Sequence, residues 1–189
     1  MTLSDTDLIV KAQKGDNSAF EELIYRYDRN VLSLAFKFVN NRDDAKDIYQ
    51  EVFIRVFKSL KKFQFRSEFS TWLYRITTNV CLSFKKKQSR HLTVSINEDD
   101  DNGNREVYEI PDDGANSPED YVHSSEIASR INKALENLSQ RQKMVFILKN
   151  YEGYKIREIA VMLECEEGTV KKYLFDANSK LRKYLSEFE

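Results

Sequence analysis

YKIREIAVMLECEEGTVKKYLFDANS, residues Tyr154–Ser179, carries two apolar stripes at helical spacing. Ile156, Ile159, Ala160 and Leu163 recur at i, i+3, i+4 and i+7, and Val170, Leu174, Ala177 and Leu181 form a second set. Glu164-Cys165-Glu166-Glu167 lies between them, too short for anything but a sharp corner, and the second helix opens at Gly168-Thr169-Val170. Two short helices about a tight turn are the helix-turn-helix pattern, whose second helix lies in the DNA major groove. Duplex DNA is therefore the first candidate partner.

Working outward, the 189-residue chain has room for one medium domain or two small ones. Its five glycines and two prolines favour helices over strands and turns. No run approaches the roughly 18 apolar residues of a membrane span. The start, MTLSDTDLIVK, lacks the basic and apolar regions of a signal peptide, so a cytoplasmic location is expected. Cys81 and Cys165 are expected as reduced core thiols, and with only His91 and His123 besides there is no metal-ligand spacing.

The net charge of −1 hides an asymmetry. Residues 91–120 hold ten Asp/Glu and one Arg, leaving 29 basic and 21 acidic residues elsewhere. Basic folded parts and an acidic connector suggest nucleic-acid binding. The same segment carries both prolines and marks the expected domain boundary: 1–90, a linker 91–120, and 121–189. Helices are predicted at about 5–14 (capped by Ser4), 17–39 (capped by Asn17), 43–61 (capped by Asp43), 68–87, 124–137 and 139–151, ahead of the helix-turn-helix. Thr93–Ile96 could extend locally. The expected fold is all-α: two small helical domains joined by an acidic flexible linker.

In DDAKDIYQEVFIRVFKSLKK (43–62), Ala45, Ile48, Val52, Val56 and Leu60 form a core stripe. Asp43, Asp44, Asp47 and Glu51 come early and Arg55, Lys58, Lys61 and Lys62 late, a sorting that macrodipole matching alone would explain. Phe53 and Phe57 could be core or interface. In the next helix Leu73, Ile76, Val80 and Phe84 face inward, while Trp72, Arg75, Asn79, Ser83 and Lys86 form a second stripe. An aromatic, a guanidinium, an amide and a hydroxyl are groups that stack on bases and bond to their edges. Lys61–Ser67, KKFQFRS, interleaves bases and aromatics in a way that can accept an unstacked base, and Lys85-Lys86-Lys87 suits phosphates. Any one of Phe63, Phe65 and Phe69 reads better as a core anchor; the whole arrangement reads better as single-strand contact.

Five stretches in order resemble regions 2 and 4 of bacterial sigma-70-family sigma factors, closest to the small extracytoplasmic-function (ECF) group. They are AFEELIYRY (19–27), NNRDDAKDIYQEVFIRVFKSLKKF (40–63), FSTWLYRITTNVCLSFKKK (69–87), LENLSQRQKMVFILKNYEGY (135–154) and IREIAVMLECEEGTVKKYL (156–174). The resemblance implies a transcription initiation factor, not an enzyme, which binds core RNA polymerase (beta-prime clamp and beta subunit). It would direct the polymerase through minus-35 and minus-10 promoter elements, melt the DNA and hold the non-template strand. Asp47, Gln50, Glu51 and Phe53 match the polymerase-docking positions. Lys62, Phe63, Arg66, Ser67, Trp72, Arg75, Asn79 and Lys86 inherit minus-10 reading and capture of a flipped base. Arg157, Gly168, Thr169, Lys171, Lys172, Phe175 and Asp176 inherit minus-35 reading. No cofactor or metal is implied, and an anti-sigma factor is an expected partner. The linker reads either as a self-repelling tether or as a nucleic-acid mimic within the polymerase.

The chain departs from the family at Tyr173, Asp176 and Asn178, positions that are usually basic. Asp176 either accepts a hydrogen bond from a cytosine amino group or pairs with Lys172 at i, i+4. A stand-alone helix-turn-helix regulator would leave residues 1–90 unexplained. A metal-dependent enzyme built on Asp43, Asp44, Asp47 and Glu51 lacks partner histidines, and no nucleotide-binding GxxxxGK[ST] loop occurs.

Overall fold

Short polar residues set the helix starts in the computed structural model, which describes residues 3–94 and 130–186, apart from the side chains of 91–94. Ser4 closes a capping box on α1 (Asp5–Gln13), its hydroxyl accepting from the Asp7 N–H. Hydrogen bonds from Ser4 hold the Asp7 carboxyl below its ordinary value. On α2 (Asn17–Val39) the cap is Asp16, one residue before the predicted Asn17: its carboxylate accepts from Ser18 Oγ at 2.7 Å and Ala19 N at 3.1 Å. Helix α2 stops at Asn40, left-handed at φ 53°, which asparagine tolerates. Asn41, not Asp43, caps α3 (Arg42–Leu60), accepting from the N–H groups of Asp43 and Asp44 at 2.9 Å each. Asp43 and Asp44 thus occupy the first turn, where the macrodipole favours acids.

Helix α4 (Phe69–Val94) runs seven residues past its predicted end at Lys87, so the expected boundary at residue 90 falls inside a helix. Thr93 and Val94, expected as extended, are helical. Of the predicted 124–137 helix, residues 130–136 are described and helical (α5); the acidic connector lies outside the described residues from 95 onward. A Ser139–Gln142 capping box opens α6 (Gln140–Asn150), followed by α7 (Ile156–Met162) and α8 (Glu167–Ser186). The described residues are all-α.

Helices α1–α4 bundle around Leu8, Leu23, Leu34, Phe38, Ile48, Val52 and Leu73. Arg26 ties α1 to α2 through Asp5 at 2.7 Å, beside a hydrogen bond from Tyr27 to the same carboxylate. Gln13 donates to the Leu60 and Phe63 carbonyls, both at 2.9 Å, which pins the exit of α3. In the second bundle Ile159, Ala160, Leu163 and Val170 are buried as their spacing requires, and Ala177 and Leu181 close a smaller cluster with Ala134, Leu135 and Leu138. The two bundles share one core: α2 and α4 pack on α6 and α7, and Phe38, Leu73, Met144, Ile147 and Met162 are buried in a continuous cluster. Cys81 is buried, which pushes its thiol up to about 12; Cys165 is half-buried, and both are free.

Candidate nucleic-acid interface

Two surfaces carry the residues singled out for DNA. The first is built from the α3–α4 loop and the outer face of α4. Helical geometry brings Trp72, Arg75, Asn79, Ser83 and Lys86 onto one stripe, of which Arg75, Ser83 and Lys86 are exposed and Trp72 and Asn79 half-buried. Lys62, Arg66 and Ser67 are exposed in the loop. Phe63 differs: it is only 7% exposed, at the hub of a ring cluster with Phe65 and Trp72 (centroids at 5.0 Å each) and Phe69 (6.0 Å). These edge and tilted contacts are ordinary core packing. The ring the loop presents is Phe65, 44% exposed and held at φ 55°. A bulky residue in the left-handed region is strained, and such strain clusters at binding sites. No spacing rule distinguishes Phe65 from Phe63; the tertiary bonds of Gln13 make the difference.

On α3, Asp47 and Gln50 are exposed, and Glu51 is engaged with Arg55 at 2.7 Å. Phe53 is buried, packed edge-on against Tyr49 at 4.9 Å, so its side chain is a core group. One residue and one turn further on, Ile54 and Phe57 are exposed, Phe57 against the edge of Phe20 at 5.2 Å. These two continue the polar patch of Asp47 and Gln50 with apolar surface. The sequence left Phe57 undecided and did not single out Ile54.

The second surface is the outer face of α8 with the start of α7. Arg157, Gly168, Lys171, Lys172 and Phe175 are exposed, Phe175 at 73%, while Thr169 and Asp176 are half-buried. Among the described residues nothing lies within 4 Å of the place a Cβ would take at Gly168, which leaves the backbone open to approach there. Tyr173 is turned toward the core and packs against it. Lys180 donates to Gln142 at 3.1 Å, and among the described residues no ion pair joins Asp176 to Lys172. Beside this face Arg157, Ala160, Val161, Cys165 and the acids Glu164, Glu166 and Glu167 line an open depression of about 500 Å³.

The surfaces meet. Arg75 donates from Nε (2.9 Å) and Nη2 (2.5 Å) to Glu164 in the helix-turn-helix corner, and Thr78 Oγ1 lies 3.4 Å from the Met162 carbonyl. Glu152 accepts from Lys37 at 2.9 Å and from the Tyr74 hydroxyl at 3.2 Å, and the Tyr74 and Tyr154 rings touch edge-on. Burial, then the Glu152 carboxylate, raises the Tyr74 pKa, and burial pushes Tyr154 up to about 12.

An aromatic-and-basic loop ahead of a mixed polar and aromatic stripe on α4, packed against a bundle that holds a helix-turn-helix, defines an all-α protein of two parts. Residues 23–91 match the family described as Sigma-70 region 2, and residues 128–181 that described as Sigma-70, region 4. The chain is 33% identical over 183 residues to the ECF RNA polymerase sigma-E factor of Escherichia coli K12, covering 95% of this chain and 93% of that one. It is 32% identical to the ECF RNA polymerase sigma-E factor of Haemophilus influenzae (95% and 94% covered), and 29% identical to the RNA polymerase sigma-H factor of Pseudomonas aeruginosa (96% and 93%). The chain belongs to the sigma-70 family, among its ECF sigma factors. Its fold is shared with CnrH, solved with the cytosolic domain of CnrY (TM-score 0.68, 20% identity, 98% and 99% covered). It is also shared with RpoE of Bartonella quintana, solved with the anti-sigma factor NepR (TM-score 0.69, 21%, 88% and 96%). No helix among the described residues is long and apolar enough to cross a membrane.

Proposed function

We propose that this sigma factor recruits core RNA polymerase, anchors on a minus-35 element through α8 and α7, and melts a minus-10 element with the α3–α4 loop and α4. The observation that carries the reading is the stripe Trp72–Arg75–Asn79 beside the exposed, strained Phe65, set on the same chain as a helix-turn-helix. Stacking a flipped base on an aromatic ring is worth about 1–3 kcal/mol per base, enough for a few such contacts to offset the opening of several base pairs. Trp72 and Phe65 supply the rings, Arg75 and Asn79 the edge contacts, and Lys62, Arg66 and Lys86 the phosphate contacts. Phe63 holds the loop from below. Polymerase docking falls to Asp47, Gln50 and Glu51, with Ile54 and Phe57 in place of the buried Phe53.

On α8, Gly168, Thr169, Lys171, Lys172 and Phe175 face the major groove, and Arg157 clamps a phosphate. Asp176 has no lysine partner, which favours the base contact: a carboxylate accepts from the cytosine amino group. The acidic connector acts within the polymerase, and a protein of the anti-sigma class covers the two bundles before activation. The location is the cytoplasm, where the polymerase is.

Run-off transcription with core polymerase on a randomised promoter library tests the reading. The expected result is transcripts from a defined family of promoters; transcription no higher than with core polymerase alone would reject it.

A further inference from the structure

Helix α3 has no left-handed cap of its own at the end that enters the loop. Helix α2 finishes on a left-handed Asn40, but Lys61, just past the last residue of α3, keeps right-handed angles at φ −58° and ψ −23°. The last carbonyls of a helix have no partner further along it, so they need donors from elsewhere. Gln13, the last residue of α1, supplies one: its amide nitrogen donates to the Leu60 carbonyl and to the Phe63 carbonyl, at 2.9 Å each. An amide NH2 has two N–H groups, and each meets one acceptor here.

The donor is itself held in a rigid setting. Leu8 and Ile9 of α1 are buried, Asp5 binds Arg26 of α2, and Gly15, at φ 98°, turns the chain directly after α1. Among the described residues, no other hydrogen bond joins residues 61–67 to a different helix. Beyond the bracketed carbonyls the two phenylalanines part. Phe63 turns inward, and Phe65, left-handed at φ 55°, turns outward with its ring still 5.0 Å from that of Phe63. A left-handed phenylalanine is strained, and a loop free to move would relax it. Hydrogen bonds at a half-buried site can hold such a shape, because water competes poorly there.

We propose that Gln13 is a positioning residue for promoter opening: it clamps the exit of α3 so that Phe65 stands ready for an unstacked base before any DNA arrives. The inference rests on the reading of the α3–α4 loop as the minus-10 opener. A loop already in its bound shape loses little freedom on capture, so more of the stacking energy is left to hold the strand open. In this role Gln13 touches neither base nor phosphate. Its effect passes through Phe65, and it must vanish when that ring is removed.

The test uses holoenzyme assembled from core polymerase and the full chain and purified as a complex, so that only folded chain is counted, on a promoter recovered from the run-off library. Gln13→Met keeps the length of the side chain and removes both donors; Gln13→Glu also removes them and sets a carboxylate against the two carbonyls. Each is measured alone and combined with Phe65→Ala. The rate of open-complex formation against holoenzyme concentration separates promoter binding from the opening step. Loss of the two bonds should slow opening at saturation by about fivefold to tenfold, and leave the promoter-binding constant and the affinity for core polymerase within about twofold. In the Phe65→Ala background neither Gln13 variant should slow opening further, because both changes act on one ring. Thermal melts show which variant is folded at the assay temperature, and either one suffices. An unchanged opening rate, an equal loss in the binding constant, or the same slowing in both backgrounds would each overturn the proposal. Unfolding of both variants would do so as well, since Gln13 would then serve the fold and not the loop. Absence of promoter-directed opening by the wild-type holoenzyme would instead overturn the function proposed above.

Discussion

The outer faces of α4 and α8, the two proposed DNA-reading surfaces, are built by different means. The α4 face is a tertiary construction: Gln13, from α1, fixes the loop by its backbone, and Phe63, Phe65, Phe69 and Trp72 lean on one another. Its guanidinium is bound across to the other bundle. The α8 face is one helix wide, and Lys171, Lys172 and Phe175 on it are exposed. Melting needs rings held in place, which takes a fold; groove reading needs side chains on a rod, which takes only a helix docked on its neighbours. Substitutions near α4 should therefore divide into those that break the fold and those that break function. On α8 the two should separate cleanly.

The largest effect tests that division directly. Phe63→Ala should lower unfolding stability by about 3–5 kcal/mol in urea melts, as for other buried aromatic truncations. Phe65→Ala, two residues on, should change it by less than about 1 kcal/mol, because an exposed ring is lost and little else. If the two are equal, the loop has no inside and outside. Next comes the docking patch. Phe57→Ser should leave stability nearly unchanged and weaken core polymerase binding by about 1.5–3 kcal/mol, the worth of burying such a side chain. Phe53→Ser should instead unfold the helix bundle, so a polymerase-binding assay on folded protein sorts core from contact. Trp72→Ala and Phe65→Ala should each slow promoter opening by about 1–3 kcal/mol of lost stacking, measured as the rate of open-complex formation at saturating polymerase. An unchanged rate for Phe65→Ala would return the stacking role to Trp72 alone.

Periodicity and caps made most of the helices legible: the stripes of α3, α7 and α8 were placed correctly because 3.6-residue spacing follows from burial. The N-cap at Ser4 was read correctly, the Ser139 cap was not singled out, and Asp16 and Asn41 won over Asn17 and Asp43. Neighbouring polar residues compete for one position there, and the choice is made by backbone geometry that sequence does not carry. The end of α4 was missed because lysines and arginines propagate a helix as well as they end one. In the candidate site, a stripe such as Trp72–Arg75–Asn79 follows from helical spacing alone. Which of Phe63 and Phe65 points outward does not, since it depends on Gln13, fifty residues earlier. The docking of one bundle on the other was illegible for the same reason. Glu164 and Arg75 are 89 residues apart, and nothing local to either announces the other.

The smallest effect separates the two readers most sharply. Asp176 is on the rod, so its removal should barely affect the fold: Asp176→Ala should stay within about 0.5 kcal/mol of wild-type stability, since no ion pair with Lys172 is lost. Its effect should appear only in sequence preference. A single carboxylate accepting from a cytosine amino group lies at the low end of base discrimination, about 1 kcal/mol, or roughly a fivefold preference at one base pair of the minus-35 element. Selection of promoters by run-off with wild type, Asp176→Ala and Asp176→Arg should show that cytosine preference, its loss, and its replacement by guanine on the same strand. Arginine should also steepen the salt dependence of promoter binding by about one unit of slope, by adding a phosphate-capable cation where wild type has an anion. If all three select the same base at every position, Asp176 is a surface acid and the anchor's preference comes from Lys171, Lys172 and Phe175. If only Asp176→Arg differs, the wild-type carboxylate reads no base and the arginine makes a contact of its own.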